Sequence, residues 1–235
     1  MPIAEGRLLR TPSLPLIWGV NQVWLGQAVA FDDAVALAER HLAKLPFRHL
    51  TVDDQRAGAL LETRFAAAGW KVDRELTMVL VRAADRVVDT TAVTEAPIAE
   101  ALELMVRWHR EAPAIGESAE ADRQLVELWR REWSCRNARL LGVRGRSGQL
   151  AAITALYSDQ TIAQVEDVYT VPEERGQGFA RMLVSRALEL AASAAPELTF
   201  IVADDRGWPK QLYERLGFEP ALRTWSFHRD QAPAR

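Results

Sequence analysis

The sequence predicts an α/β fold, and three observations carry that expectation. Between Val165 and Ala195 a strand, a glycine loop and a helix follow one another without a gap. A further strand and a short helix ending in Gly217-Phe218 come next. Near the N-terminus the order strand, helix, strand, helix, strand occurs once more. With 235 residues, 49% of them hydrophobic, the chain can build one large domain or two small ones.

Residues 1–13 are polar with prolines and read as extended or loosely held. Leu14–Leu25 reads as a strand interrupted by Gly19 and Asn21. Phe31-Asp32-Asp33-Ala34 starts a helix with an aspartate as N-cap. Val35, Leu37, Ala38, Leu42 and Leu45 form its apolar stripe, and Pro46 stops it. His49–Val52 is a short strand. Ala57–Ala68 is a helix with Gly69 as its left-handed stop, and Leu76–Val81 is a strand. Ala83–Glu95, charged and threonine-rich, is a connector, so we place a boundary there: residues 1–82 form one segment and 83–235 a domain. Helices follow over Pro97–Glu111 and Ala121–Trp133. Asn137–Val143 and Leu150–Tyr157 are strands joined by a Gly/Ser turn.

The organising stretch comes next. Val165–Val171 is β-branched and aromatic, hence a strand, and Pro172 ends it. The loop Arg175-Gly176-Gln177-Gly178-Phe179-Ala180 leads into a helix over Arg181–Leu190. Two glycines remove side chains where the backbone turns, so several N–H groups point outward at a helix N-terminus and favour an anionic phosphate. Arg175 adds a positive charge. A tight strand-to-helix turn without a ligand is the plain alternative for such a loop taken alone. There is no Gly-Lys-Ser/Thr of a nucleotide P-loop and no third glycine of a dinucleotide fingerprint. Leu198–Ala203 is the next strand, Gln211–Leu216 a short helix, and Leu222–His228 the last strand.

The loop resembles the acyl-CoA pyrophosphate loop of the GNAT N-acetyltransferase superfamily, whose pattern is Arg/Gln-x-x-Gly-x-Gly/Ala. Arg175, Gly178 and Ala180 occupy its defined positions, and Gln211–Phe218 is similar to the family's second signature. The resemblance implies the GNAT (acyl-CoA N-acyltransferase) fold, a mixed central sheet flanked by helices. A first strand near Val87–Val93 would complete its order. The N-terminal segment looks like the second half of such a domain repeated, a smaller α/β GNAT-like half. In that copy the loop position reads Leu25-Gly26-Gln27-Ala28-Val29-Ala30, and Asp32 and Asp33 open the next helix. Two carboxylates there oppose a pyrophosphate. That half is therefore expected to bind no CoA and to be structural.

The resemblance also implies a chemistry: acetyl-CoA as acyl donor, a primary amine of a small molecule or peptide as acceptor, and direct transfer without a covalent intermediate. Val168, Tyr169, Thr170 and Val171 match the strand that pairs with the pantetheine arm. Arg175, Gly176, Gln177, Gly178, Phe179 and Ala180 form the pyrophosphate loop, and Tyr213 matches a tyrosine that protonates the thiolate. An amphipathic core tyrosine is the plain alternative for Tyr213. Many relatives carry a CoA-contacting asparagine before this helix, whereas this chain has Arg206-Gly207-Trp208-Pro209-Lys210. Glu166 and Asp167 resemble an acidic pair of small-amine acetyltransferases. Simple alternation places Glu166 on the face of Val168 and Asp167 on that of Tyr169, which favours Glu166 as the base. A non-catalytic CoA-binding module and a different acyl-CoA donor are the rival readings.

Composition narrows the rest. The net charge of −3 gives no global field for nucleic acid. The single cysteine, Cys135, excludes an internal disulfide framework and suits a reducing cytoplasm. No signal-type segment or bilayer-length apolar run is evident, and His41, His49, His109 and His228 lack metal-ligand spacing. A monomer or homodimer without metal or membrane attachment is expected.

Overall fold

The structure is a computed structural model that describes residues 1–111 and 118–230. The predicted loop at Ala112–Ala119 falls largely outside them. The chain divides into two compact units. One comprises Met1–Thr77, Ala203–Gly207 and the chain from Ala221; the other comprises Met78–Val202 and Trp208–Pro220.

In the first unit, β1 (Pro2–Ile3), β2 (Gly6–Leu9) and β3 (Gln22–Leu25) lead to α1 (Phe31–Leu42), β4 (Phe47–Val52) and α2 (Gln55–Ala67), and then β5 (Lys71–Leu80) begins. β1–β2 and β2–β3 pair antiparallel, while β3 and β4, joined through α1, pair parallel with Val23 opposite Leu50. The expected strand over Leu14–Leu25 is corrected: only Gln22–Leu25 is strand, after a 3₁₀ turn at Trp18–Val20. Asn21 is the reason. Its buried amide donates to the carbonyls of Leu14 (2.8 Å) and Ile17 (2.9 Å), and its Oδ1 accepts from Thr11 N–H. This tethering folds the segment into a loop. Asp32 and Asp33 also differ from expectation. The N-cap of α1 is Ala30, without a side-chain cap, and the aspartates lie in the first turn facing the helix dipole.

The second unit takes the end of β5 and continues through β6 (Thr94–Glu95), α3 (Ile98–Glu111), α4 (Ala119–Cys135), β7 (Arg139–Arg144), β8 (Leu150–Ser158), β9 (Ile162–Thr170), α5 (Phe179–Ala192), β10 (Leu198–Asp204, to Val202) and α6 (Pro209–Arg215). Ser118 caps α4 through Ala121 N–H at 3.0 Å. β6, β7, β8 and β9 pair antiparallel in that order, and β9 pairs parallel with β10 through α5. Each unit thus has a mixed sheet. The strand expected near Val87–Val93 is not formed; Val87 is 98% exposed, and the pairing on β7 is made by Thr94 and Glu95 alone. Within the run only Val93 is buried, and charged neighbours at Arg86 and Asp89 leave Val87 in water.

The last strand, β11 (Phe218–Asp230), gives its second half to the first unit, where Trp225–Asp230 pair antiparallel with Phe47–Val52. There Phe65 stacks on Phe227 at 4.2 Å between ring centroids and meets Trp70 edge-on. The core of the second unit joins Leu102 and Met105 of α3, Trp133 of α4 and Ile153, Ala155, Tyr157 and Tyr169 of the sheet.

His49 and His228 face each other across β4 and β11 in the first unit, both buried. His49 Nδ1 meets the carbonyl of Trp18 at 3.1 Å, while His49 Nε2 and His228 Nδ1 have no protein partner. Burial pushes His49 down to about 3, with His228 as a lesser cause. The folded protein therefore holds His49 neutral, whereas an unfolded chain protonates it near 6.5. Its contribution to stability is present above 6.5 and drains away as the pH falls toward 3. Melting temperature measured against pH should fall in that window, and His49→Leu should flatten the fall; an unchanged slope would show that other groups set the acid limit.

Candidate active site

A cleft of about 560 Å³ opens in the second unit where β9 turns into α5. β9 ends at Thr170, Pro172–Glu174 make one 3₁₀ turn, and Gly176 and Gly178 take φ of 79° and 84°. Side chains rarely adopt this region, so the path into α5 needs glycine at both positions. A Cβ built on either would meet nothing within 4 Å. The space above the two backbones is therefore open. Gly178 is the N-cap of α5 and makes no side-chain cap bond, so the amides of the first turn face that space.

Four arginines line the cleft: Arg86, Arg175, Arg181 and Arg215. Arg181 is buried and paired with Asp85 at 2.6 Å, which holds the Asp85 carboxyl below the usual range. Arg175 donates through Nε to the Thr170 carbonyl at 3.0 Å and through a terminal nitrogen to Glu111 at 2.6 Å. Phe179 and Ala180 line the cleft, and the Gln177 amide is bonded to Glu174. Trp208, 63% exposed, lines the cleft from the Arg206–Lys210 segment that precedes α6. Thr170 also lines the cleft, and its buried Oγ1 has no protein partner. Open glycines, helix amides and four guanidiniums together suit a phosphorylated ligand. Of the expected strand contacts, the Val171 N–H is already used by Ala151 at 2.9 Å, and Val171 and Tyr169 point into the core.

β9 carries a bulge. Tyr169 is opposite Ile153 but Glu166 is opposite Ala155, so three steps on β9 match two on β8. Asp167 absorbs the extra residue at φ 56°. The alternation argued from sequence is thereby corrected. Ile153 and Ala155 share a face of β8, so Glu166 shares the face of Tyr169 and not that of Val168. Gln164, two residues back on that face, donates to Glu166. The indole of Trp133 reaches Asp167 Oδ2 at 3.4 Å. Burial is the main cause that raises Asp167 to about 6; Glu132 adds to the rise, while Trp133 and Arg136 oppose it. Tyr213, on α6, is buried, and its hydroxyl is raised above the usual phenol range by burial and then by the charge of Glu166. The two expected catalytic residues thus lie within electrostatic reach of one another.

Residues 136–220 match the family described as Acetyltransferase (GNAT) domain. They form a GNAT domain. The fold neighbours agree over most of the chain. A functionally unknown conserved protein from Staphylococcus epidermidis superposes with a TM-score of 0.69 at 14% identity, covering 96% of this chain and 90% of that one. A GCN5-related N-acetyltransferase from Kribbella flavida gives 0.55 at 16% identity, covering 94% and 84%. A tandem GNAT protein from the clavulanic acid biosynthesis pathway gives 0.54 at 18% identity, covering 86% and 69%. At these identities the likeness is one of fold. No curated protein matches the chain.

Several residues around the GNAT cleft escape a reading of the sequence. Arg181 directly follows the loop, and its place in the first turn could have been inferred from that. Arg86 and Arg215 come from a connector and from the end of α6 and carry no local signal. Glu111 lies far from the loop in sequence. Among the described residues, no group of three His, Cys, Asp or Glu side chains is placed to hold a metal, and no helix is long and apolar enough to cross a membrane.

Ligand binding to the native state raises stability by about 2.7 kcal/mol at a hundredfold excess over Kd. Acetyl-CoA should therefore raise the melting temperature, and Gly178→Trp, which fills the space above the loop, should remove that rise. A ligand-induced shift of full size in the variant would take the loop out of the site.

Proposed function

We propose that the GNAT domain transfers an acetyl group from acetyl-CoA to a primary amine by direct attack. The observation that carries this is the open turn from β9 into α5, where two positive-φ glycines, the first-turn amides and four lining arginines meet; Asp167, a carboxyl group raised to about 6, lies on the strand that feeds that turn. A protonated amine cannot attack a thioester, and alkyl amines are mostly protonated at neutral pH. A carboxylate with its pKa near 6 is a suitable proton acceptor, directly or through a water. On this reading Asp167 takes the proton, a role that sequence alone gave to Glu166. Glu166, whose charge Tyr213 feels, helps hold the cationic acceptor beside the reacting centre. Tyr213, kept protonated by burial, gives its proton to the departing thiolate.

Acetyl-CoA, when bound, would supply the thioester. The chain's own residues bind its phosphates with the first-turn amides of α5 and the cleft arginines. The loop reads phosphate and not acyl chain, so the acetyl preference rests on the family, and other acyl-CoA donors are one outcome of a donor panel. The first unit carries two aspartates in the first turn of α1 where α5 has its open amides. We assign it a structural role without CoA.

Release of free CoA thiol, followed over a panel of amines, tests the proposal. Asp167→Asn should lower turnover by about a hundredfold. The base must be ionised, so wild-type kcat/KM should fall as the pH drops below about 6, and this limb should vanish in the variant. Tyr213→Phe should lower kcat while acetyl-CoA affinity holds. A larger loss in Glu166→Gln than in Asp167→Asn would return the base to Glu166, and acetyl-CoA binding without turnover on any amine would favour a regulatory module.

A further inference from the structure

Glu111 ends α3 and holds two partners at once. Its Oε2 accepts from Arg175 of the GNAT loop at 2.6 Å, and its Oε1 accepts from the hydroxyl of Tyr169. Those partners belong to different parts of the site. Arg175 lines the cleft at the open loop. Tyr169 lies on the face of β9 that carries Glu166 and stacks at 5.6 Å and 13° on Trp108, a cleft wall one helical turn before Glu111.

We infer that Glu111 is a shared counter-ion: the cofactor's diphosphate takes Arg175 from it, and the freed carboxylate then serves the amine acceptor. The inference rests on the acyl-CoA reading above. Charge decides the direction of exchange. The Arg175–Glu111 pair is half exposed on the arginine side, and such pairs are weak because water screens them. A diphosphate offers more negative charge and pairs of phosphoryl oxygens that can accept from the planar fork of guanidinium, in a cleft that three further arginines line. Once released, Glu111 is not simply recaptured by the neighbouring cation. Arg107 is bonded to both carboxylate oxygens of Glu173. Glu111 then remains on Tyr169 with one oxygen and presents the other to a cation.

Calorimetric titration of CoA into the full chain and into Glu111→Gln, Arg175→Gln and the double variant tests this. Removing the competing charge should tighten CoA about two- to fivefold, the size of a screened ion pair. The gain should be absent in the Arg175→Gln background. With an amine found in the thiol-release panel, Glu111→Gln should also raise the amine KM without raising that of acetyl-CoA. Unchanged or weaker CoA binding in Glu111→Gln, or an equal gain in both backgrounds, would overturn the exchange alone. Failure of the unmodified protein to bind CoA would overturn the acyl-CoA reading and the exchange with it.

Discussion

One extra residue in β9 sets the geometry on which the rest of the GNAT domain depends. Opposite β8 the strand needs two steps and takes three. Asp167 absorbs the difference by adopting a left-handed backbone, which aspartate tolerates better than most residues. Three consequences follow. Glu166 and Tyr169 come to one face. The carboxyl of Asp167 is turned into a half-buried place beside Trp133, where losing water raises its pKa. Past the bulge, Thr170 reaches the wall of the cleft, its hydroxyl buried without a protein partner. In a regular strand Glu166 would lie on the face opposite Tyr169.

The second constraint is local charge. The chain is slightly acidic overall, with a net charge of −3, yet four arginines meet in one cleft. Such a cluster repels itself unless counter-ions are near. Asp85 answers buried Arg181, and Glu111 answers exposed Arg175. The two pairs differ in kind. A buried guanidinium left alone is costly, so Asp85 is a fixed partner. The Glu111 pair is more open, with Arg175 half exposed. Preorganised cations with one loose counter-ion describe a cleft ready for an anion.

Much of this was legible in the sequence, for reasons that can be named. The loop was readable because glycine at 176 and 178 reports a backbone need, and both residues take positive φ. The alternation of strand and amphipathic helix gave the α/β class and most elements of the GNAT domain to within a few residues. The N-terminal repeat was visible because β3 and β4, like β9 and β10, are parallel strands joined by one helix. What stayed hidden was set by tertiary partners. The tethering by Asn21 overrode strand propensity before β3, and β1 and β2 are too short and too charged at Arg7 to signal themselves. Val87–Val93 has the composition of a strand and lacks a partner. A bulge at a non-glycine residue leaves no mark in a single sequence, so the face of Glu166 was misjudged. Arg86, Glu111 and Arg215 reach the cleft from distant segments.

The central claim is that the turn from β9 into α5 receives the phosphates of an acyl-CoA, while the matching turn of the first unit does not. Amide hydrogen exchange of the full chain, with and without saturating acetyl-CoA, tests it most directly. The account predicts added protection at Gly176–Met182 and Val168–Thr170, and none at Leu25–Asp33. Protection confined to the first unit, or absent from Gly176–Met182 under conditions where acetyl-CoA is bound, would contradict it.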